Sequence, residues 1–443
     1  MKKLILTTLL LLIAAQQTFA DSIDRTIAKS GINKGAIAVS VKELNSGKTV
    51  YKLNDSKPSV PASTLKMVTL PAALDVLGKD YEFSTKLYKN TANELFLQLG
   101  ADPFLTSSDL NKLFKTAKSK NIIEPKAVYI DDFIFDSTEW GEGWQWDDDL
   151  NYLMPKFSSY NIDKNLLNIV ISPTTEGAPA NIYTKKFYPV TFMNLVTTGN
   201  PTNITLSRNN NISPDILTVE GTVHNQITKQ IPINNMKRYF ALRMEDAIRN
   251  AKIEYYGKFP QKKTPTTNIY KVDEVKHSIN DAINAILKNS DNMVAETVFK
   301  AAGAKFANNT GSFDNSQKML NTYFDKIGIN HDDIRIVDGS GVSKNNMMTA
   351  DFMTEFLLKM PEDYKKLLPT AGEGTMISRM LYFKDNLYAK TGTHCTESAL
   401  AGYITAQSGK TYVFDIMIND PKSKTAEKKS LEEYILRDIY SSY

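Results

Sequence analysis

Residues 61–78, PASTLKMVTLPAALDVLG, constrain the fold more than any other stretch of the chain. Leu65, Met67, Val68, Leu70, Ala72, Ala73 and Leu74 leave a helix here with no polar face. A helix that is apolar on every side is buried. Lys66 is then buried with it, and a buried amine is costly unless other groups pair with it or use it. The chain must therefore close polar partners around Lys66. Ser63 lies three residues earlier, on the same helical face. Pro71 lies inside the same pattern and is expected to kink the helix.

A serine at a helix N-terminus sits among free backbone N–H groups and a dipole that favours negative charge. There it can attack a carbonyl while its own N–H helps to hold the oxyanion. A desolvated lysine can be neutral near pH 7 and serve as the base. The pattern S-x-x-K is weak alone, since roughly one or two copies arise by chance in a chain this long. It occurs once, at Ser63. Taken alone, a capping serine with a lysine reaching solvent is the simpler account.

Two further elements bear on the choice. Ser290-Asp291-Asn292 supplies a hydroxyl and an amide on a short loop before a helical run (Met293, Val294, Val298, Phe299). The S-x-N pattern recurs at Ser159, Ser207, Ser278 and Ser343, where turns and caps account for it. Lys390-Thr391-Gly392 is the one K-T-G of the chain, and Thr393 follows it. It lies on a strand pattern followed by SALAGYIT and TYVFDIMI, with QSGK as the hairpin turn between them. An edge strand bearing a cation, two hydroxyls and a glycine can hold an extended peptide that ends in a carboxylate. Gly392 permits close backbone approach. A lone lysine that blocks edge pairing is the plainer alternative. S-x-x-K on a buried helix, S-D-N on a loop and K-T-G on a strand, in that order, form the set of penicillin-binding proteins and class A β-lactamases.

The remaining sequence narrows the class. At 443 residues, two or three domains are expected. Residues 1–20, MKKLILTTLLLLIAAQQTFA, have a basic start, a short apolar run and small residues at a cleavage site, as a bacterial secretory signal does. Removing Lys2 and Lys3 lowers the net charge from +4 to +2, too weak a balance to argue for nucleic acid. The single cysteine, Cys395, permits no internal disulfide and is expected to face a core or strand neighbour. There is no HExxH, no GxSxG elbow and no phosphate loop. The four histidines, His224, His277, His331 and His394, read as structural. No cofactor and no metal are expected.

Ser63 and Ser290 stand 227 residues apart, room for at least one extra domain. That interval holds the β-like runs ELFLQL, AVYID, NIVIS, NITLS and LTVEGTV, punctuated by Gly/Pro-rich turns, and then a helix, NNMKRYFALRMEDAIRNAKI, leading back toward the catalytic part. With PASTLKMVT, ELFLQLGADPFLTSSDL, WGEGWQWDDD, VEGTV, NSDNMVAE, VDGSGVS, LPTAGEGTM and AKTGT in family order, the chain resembles the penicillin-binding protein 4 type of D-alanyl-D-alanine carboxypeptidase/endopeptidase, the class C low-molecular-mass penicillin-binding proteins. LGADP departs from a usually more glycine-rich turn.

The resemblance implies a mixed α/β fold: a penicillin-recognising, β-lactamase-like core of antiparallel sheet and helical cluster with nested, mostly-β inserts. It divides the chain into a signal (1–20), a discontinuous catalytic domain (21–85 and 240–443) and two nested inserted subdomains (86–239). It implies a periplasmic serine enzyme that removes the terminal D-alanine of peptidoglycan stem peptides, with D-alanyl-diaminopimelate cross-links as a second substrate, and that β-lactams acylate. Ser63, Lys66, Ser290, Asn292 and Lys390 would be catalytic and Thr391, Gly392 and Thr393 substrate-binding. Asp291, Asp338 and Ser340 would support them, with a plain turn as the alternative for the last two. The expected partners are peptidoglycan peptides and β-lactams, with at most peripheral membrane contact and a homodimer allowed. A β-lactamase and a non-catalytic cell-wall scaffold are the competing readings.

Overall fold

The computed structural model describes residues 20–208 and 213–441, so the expected signal lies outside it except for Ala20. A five-stranded antiparallel sheet of β1 (Ile37–Glu43), β2 (Thr49–Leu53), β13 (Leu387–Thr393), β14 (Glu397–Thr405) and β15 (Thr411–Asn419) has the order β13-β14-β15-β1-β2. Its inner strands are buried along nearly their whole length because both faces are covered. On one face lie helix α1, spanning 20–30, and α9 (Thr425–Tyr440), packing Ile23, Ile27, Leu431 and Ile435 against Phe414 and Ile416.

The other face carries α2 (Lys66–Leu77), α5 (Ile279–Leu287), α6 (Asn292–Ala307), α7 (Phe313–Ile327) and α8 (Ala350–Lys359). Leu70, Val294, Val298, Phe324, Phe356 and Val413 share their core. Pro71 does not break α2. It does deprive the Met67 carbonyl of its usual amide partner four residues on. The Tyr364 hydroxyl donates to that carbonyl at 2.8 Å instead. Among the described residues no helix is long and apolar enough to cross a membrane.

Between α2 and α5 the chain leaves this core and returns to it. β3 (Glu82–Asn90), β4 (Glu94–Gln98), β5 (Ala127–Asp131) and β12 (Ile269–Ser278) form a sheet ordered β12-β3-β4-β5. Two three-stranded sheets follow: β11-β6-β7, from β6 (Leu166–Ser172), β7 (Asn181–Thr184) and β11 (Ile227–Pro232), and β8-β10-β9, from β8 (Thr191–Thr198), β9 (Asn203–Arg208) and β10 (Ile216–Val223). α3 (Ser107–Ser119), started by a Thr106/Asp109 capping box, and α4 (Met236–Asn250) pack into the same separate core. α4 thus packs with the strands of this second core. β3 pairs with β12 from Glu82 against Ser278 to Asn90 against Ile269. On this pairing we propose dividing the chain near 82 and 278 rather than at 86 and 239.

Tyr364→Phe removes only the hydroxyl. It leaves the Met67 carbonyl buried without a donor, a loss of about 1–3 kcal/mol. Urea unfolding of the two proteins should give a lower midpoint for the variant at unchanged slope.

Candidate active site

The chain enters the site through Pro61 and Ala62, whose φ is +48°. Ala62–Leu65 form a 3-10 turn, and α2 begins only at Lys66. The expected helix face is thus a tighter turn, in which positions i and i+3 eclipse. This brings Lys66 Nζ to 2.8 Å from Ser63 Oγ. Lys66 is fully buried, whereas Ser63 is partly exposed. Nζ also donates to Asn292 Oδ1 and to the Ser340 carbonyl, both at 2.6 Å. The amide of Asn292 is oriented by its other end, which donates to the Leu153 carbonyl at 2.9 Å. Neither acceptor can give Lys66 a proton. The one proton source among its three partners is the Ser63 hydroxyl.

Burial is the largest influence on Lys66 and lowers its pKa to about 8, against the opposing charges of Asp338, Glu296 and Asp291. A lysine so placed is half neutral near pH 8 instead of almost wholly charged.

Ser290 precedes α6 with φ +59°, a left-handed conformation rare for a side-chain-bearing residue. Asp291 caps α6 by accepting from the Val294 N–H at 3.0 Å, and burial raises its pKa. Lys390 Nζ donates to Ser290 Oγ at 2.8 Å and to the Thr391 carbonyl at 2.9 Å. Burial, and then the charge of Lys66, push the pKa of Lys390 well below the usual range. The site is therefore two lysine–hydroxyl pairs, tied together where Lys66 reaches Asn292.

Lys390 and its neighbours lie on β13, the edge strand of the sheet. A Cβ on Gly392 would lie 2.8 Å from the Pro61 carbonyl oxygen and 3.0 Å from the Ser63 nitrogen. Only glycine lets the strand end come this close to Ser63. Thr391 is buried and its hydroxyl meets that of Thr375 at 2.7 Å, while Thr393 is exposed.

Asp338 and Ser340 are fully buried below Lys66. Asp338 accepts from the N–H groups of Gly341 (2.8 Å) and Ser343 (2.7 Å), from Asn346 Nδ2 (2.9 Å) and from Trp144 Nε1 (2.9 Å). Glu296, buried on α6, accepts from the N–H groups of Gly339 (2.9 Å) and Ser340 (2.8 Å). Burial, with Asp338 second, pushes its pKa up to about 8.

Glu296, Trp144 and Thr375 were not singled out from the sequence. Glu296 carried a signal of the same kind as Lys66, a charge inside the apolar run Met293–Val298. Trp144 and Thr375 carried none, because their contacts join distant segments. His394 Nε2 donates to the Gly341 carbonyl at 3.0 Å, and burial lowers its pKa. Cys395 is exposed, contrary to expectation, because it lies just beyond β13 in the turn leading to β14. Among the described residues no group of three or more His, Cys, Asp or Glu side chains is arranged to hold a metal.

The family model described as D-Ala-D-Ala carboxypeptidase 3 (S13) matches residues 19–436. The chain is 24% identical to the D-alanyl-D-alanine carboxypeptidase DacB of Haemophilus influenzae, over 93% of this chain and 91% of that protein. It is 23% identical to the D-alanyl-D-alanine carboxypeptidase of Actinomadura sp. strain R39, over 90% of this chain and 80% of the other. The crystal structure of penicillin binding protein 4 from Haemophilus influenzae superposes with a TM-score of 0.81 at 24% identity, covering 91% of this chain and 96% of that one. The same protein complexed with a β-lactam gives a TM-score of 0.78 at 22% identity, covering 94% and 99%.

Gly392→Ala should lower the rate of peptide hydrolysis about 100-fold, because the added methyl pushes β13 away from Ser63. Circular dichroism should show an unchanged fold, and a rate within twofold of the parent would mean that the close approach does not matter.

Proposed function

The chain belongs to the D-Ala-D-Ala carboxypeptidase 3 (S13) family, and from that premise we propose that Ser63 carries the reaction through an acyl-enzyme. The chain is a serine-type D-Ala-D-Ala carboxypeptidase. The observation that carries the mechanism is the buried amine of Lys66, 2.8 Å from Ser63 Oγ and otherwise bonded only to acceptors.

Ser63 Oγ attacks the carbonyl of the penultimate D-alanine and Lys66 accepts its proton. The N–H groups of Ser63 and Thr393 hold the oxyanion; losing one such donor typically costs about 3 kcal/mol of barrier. The closeness of Gly392 to the Ser63 nitrogen supports this pairing. Ser290, bonded to Lys390, passes a proton to the departing amine of the terminal D-alanine. Lys390, Thr391 and Thr393 bind the terminal carboxylate. Asn292 orients Lys66 and the substrate backbone. Water then cleaves the Ser63 ester and restores the hydroxyl.

A D-alanyl-diaminopimelate cross-link presents the same acyl group. Its leaving amine also sits on a D-centre bearing a carboxylate, so the same groups serve an endopeptidase reaction. A β-lactam offers a strained amide beside a carboxylate, and its ring stays attached after opening, which delays the water. The Haemophilus protein complexed with a β-lactam shares this fold and supports that reading. The family and the apolar N-terminal run support action in the bacterial envelope, on peptidoglycan peptides.

Labelled penicillin should attach to Ser63, located by peptide mapping, and Ser63→Ala should take up none. Lys66→Ala should acylate about 10²–10⁴-fold more slowly. Lys66 must be neutral to accept a proton, so acylation should rise about tenfold per pH unit below pH 8 and level off above it. Mass spectrometry of monomeric and cross-linked muropeptides should show loss of terminal D-alanine and cleavage of cross-links. Label on another residue, or a flat pH profile, would overturn this mechanism. Fast release of the label would make the chain a β-lactamase in practice.

A further inference from the structure

Besides Ser63, two acceptors hold the amine of Lys66, and both are held in turn by one loop of the insertion that packs into the same core as α2 and α6. The Phe157 N–H donates to the Glu139 carbonyl at 3.2 Å and closes residues 139–157 into a loop. From this loop the Leu153 carbonyl takes the Asn292 amide at 2.9 Å, fixing the oxygen that faces Lys66. Its Trp144 indole donates to Asp338 Oδ2 at 2.9 Å. The other oxygen, Asp338 Oδ1, accepts from the Gly341 N–H at 2.8 Å. That N–H belongs to the same peptide group as the Ser340 carbonyl, which accepts from Lys66 at 2.6 Å. One peptide group thus stands between the carboxylate and the amine.

Trp144 is built into this position. Its ring packs edge-on against Trp140 and Phe157, with centroids 5.0 and 5.6 Å away. A Cβ on Gly143 would lie 2.6 Å from Asn345 Nδ2 and 2.7 Å from Ser343 Oγ, so the loop is docked tightly on the turn that follows Asp338. Solvent is excluded: Trp144 is 7% exposed and Asp338 not at all.

We propose that Trp144, which the inserted stretch of chain contributes to the core around α2 and α6, is a positioning residue for Lys66 and sets the readiness of the amine to take the Ser63 proton. The proposal rests on the acyl-enzyme reading above. The indole N–H turns its positive end to Asp338 and offsets the field of that carboxylate at Lys66. Without it, Asp338 holds the proton on Lys66 more firmly. Glu296 and Asp291 on the α6 side favour the charged amine in the same sense. Lys390 and His394 on the β13 side, when protonated, oppose it.

The test is the second-order rate of acylation by labelled penicillin across pH, for the parent and Trp144→Phe. Benzothienylalanine placed at residue 144 serves as the second variant, because it keeps the bicyclic shape and lacks the N–H. The midpoint of the acid limb should move up by about half a pH unit or more in both, with the plateau at high pH falling less than tenfold. An unmoved midpoint would overturn the proposal, whether the rates fall equally at every pH, as for a loosened loop, or stay the same. A downward move would overturn it too. If the parent itself takes no label at Ser63, the acyl-enzyme reading has failed instead.

Discussion

Removing one primary amine from water is the constraint on which the site depends. Lys66 has no exposed surface, and a buried cation without partners is penalised by several kcal/mol. Its partners come from three separate segments: the turn that bears Ser63, the first residue of α6, and the turn at Ser340. The segments must approach closely to reach one nitrogen. Glycine stands at the tightest contact of the Ser340 turn, where Gly341 has φ +79° and a Cβ would lie 2.0 Å from the Ala62 carbonyl oxygen. Folding and the chemical preparation of the amine are therefore the same event. Burial is what lowers the proton affinity of Lys66, and it exists only when all three segments have closed.

The long insertion between Ser63 and Ser290 is compatible with this closure because its two ends are neighbours. Glu82 and Ser278 pair across β3 and β12, and the Ile279 N–H donates to the Tyr81 carbonyl at 3.0 Å. The core meets a clasp there, and the entropy of closing a loop grows only slowly with its length. The inserted unit has its own core, so its strands make few demands on the catalytic sheet. One loop of the insertion, 139–157, lies outside that core and packs with α2 and α6 beside the site. That contact explains why Asn292 has a single amide orientation, since its NH2 group has a backbone carbonyl to satisfy.

What was legible from the residues was whatever shows in a local pattern. The apolar runs of β14 and β15, the alternating strands of the insert and the capped start of α6 each follow from neighbours in sequence. The lysine inside an apolar helix was legible because burial and charge contradict each other within one turn. The 3-10 geometry at Ser63 was not, because it depends on β13 and the Ser340 turn pressing on Ala62. Pro71 gave a local reason to expect a kink. The compensation by Tyr364 comes from 297 residues away, beyond the reach of any periodicity. Trp144 was hidden in the same manner: its partner, Asp338, is 194 residues distant. The division near 82 and 278 that we propose is not legible in composition, because it is strand pairing that places β3 beside β12.

The two lysines divide the electrostatic work by the company each keeps. Lys66 has Asp338, Glu296 and Asp291 around it, so its proton affinity falls only to about pH 8 despite complete burial. Lys390 is equally buried, but its bonded partners are a hydroxyl and a carbonyl, and the charge it feels from Lys66 is repulsive. Two adjacent buried cations are unfavourable, so a free site disfavours charge on Lys390 first. On the proposed mechanism an arriving carboxylate reverses that order, because it supplies beside Lys390 a counter-charge of the kind that Asp338, Glu296 and Asp291 give Lys66. On the proposed mechanism, binding the terminal carboxylate then charges Lys390 just as Lys66 is needed neutral. That mechanism thereby links recognition of the anion to activation of the Ser63 hydroxyl through the repulsion between two amines.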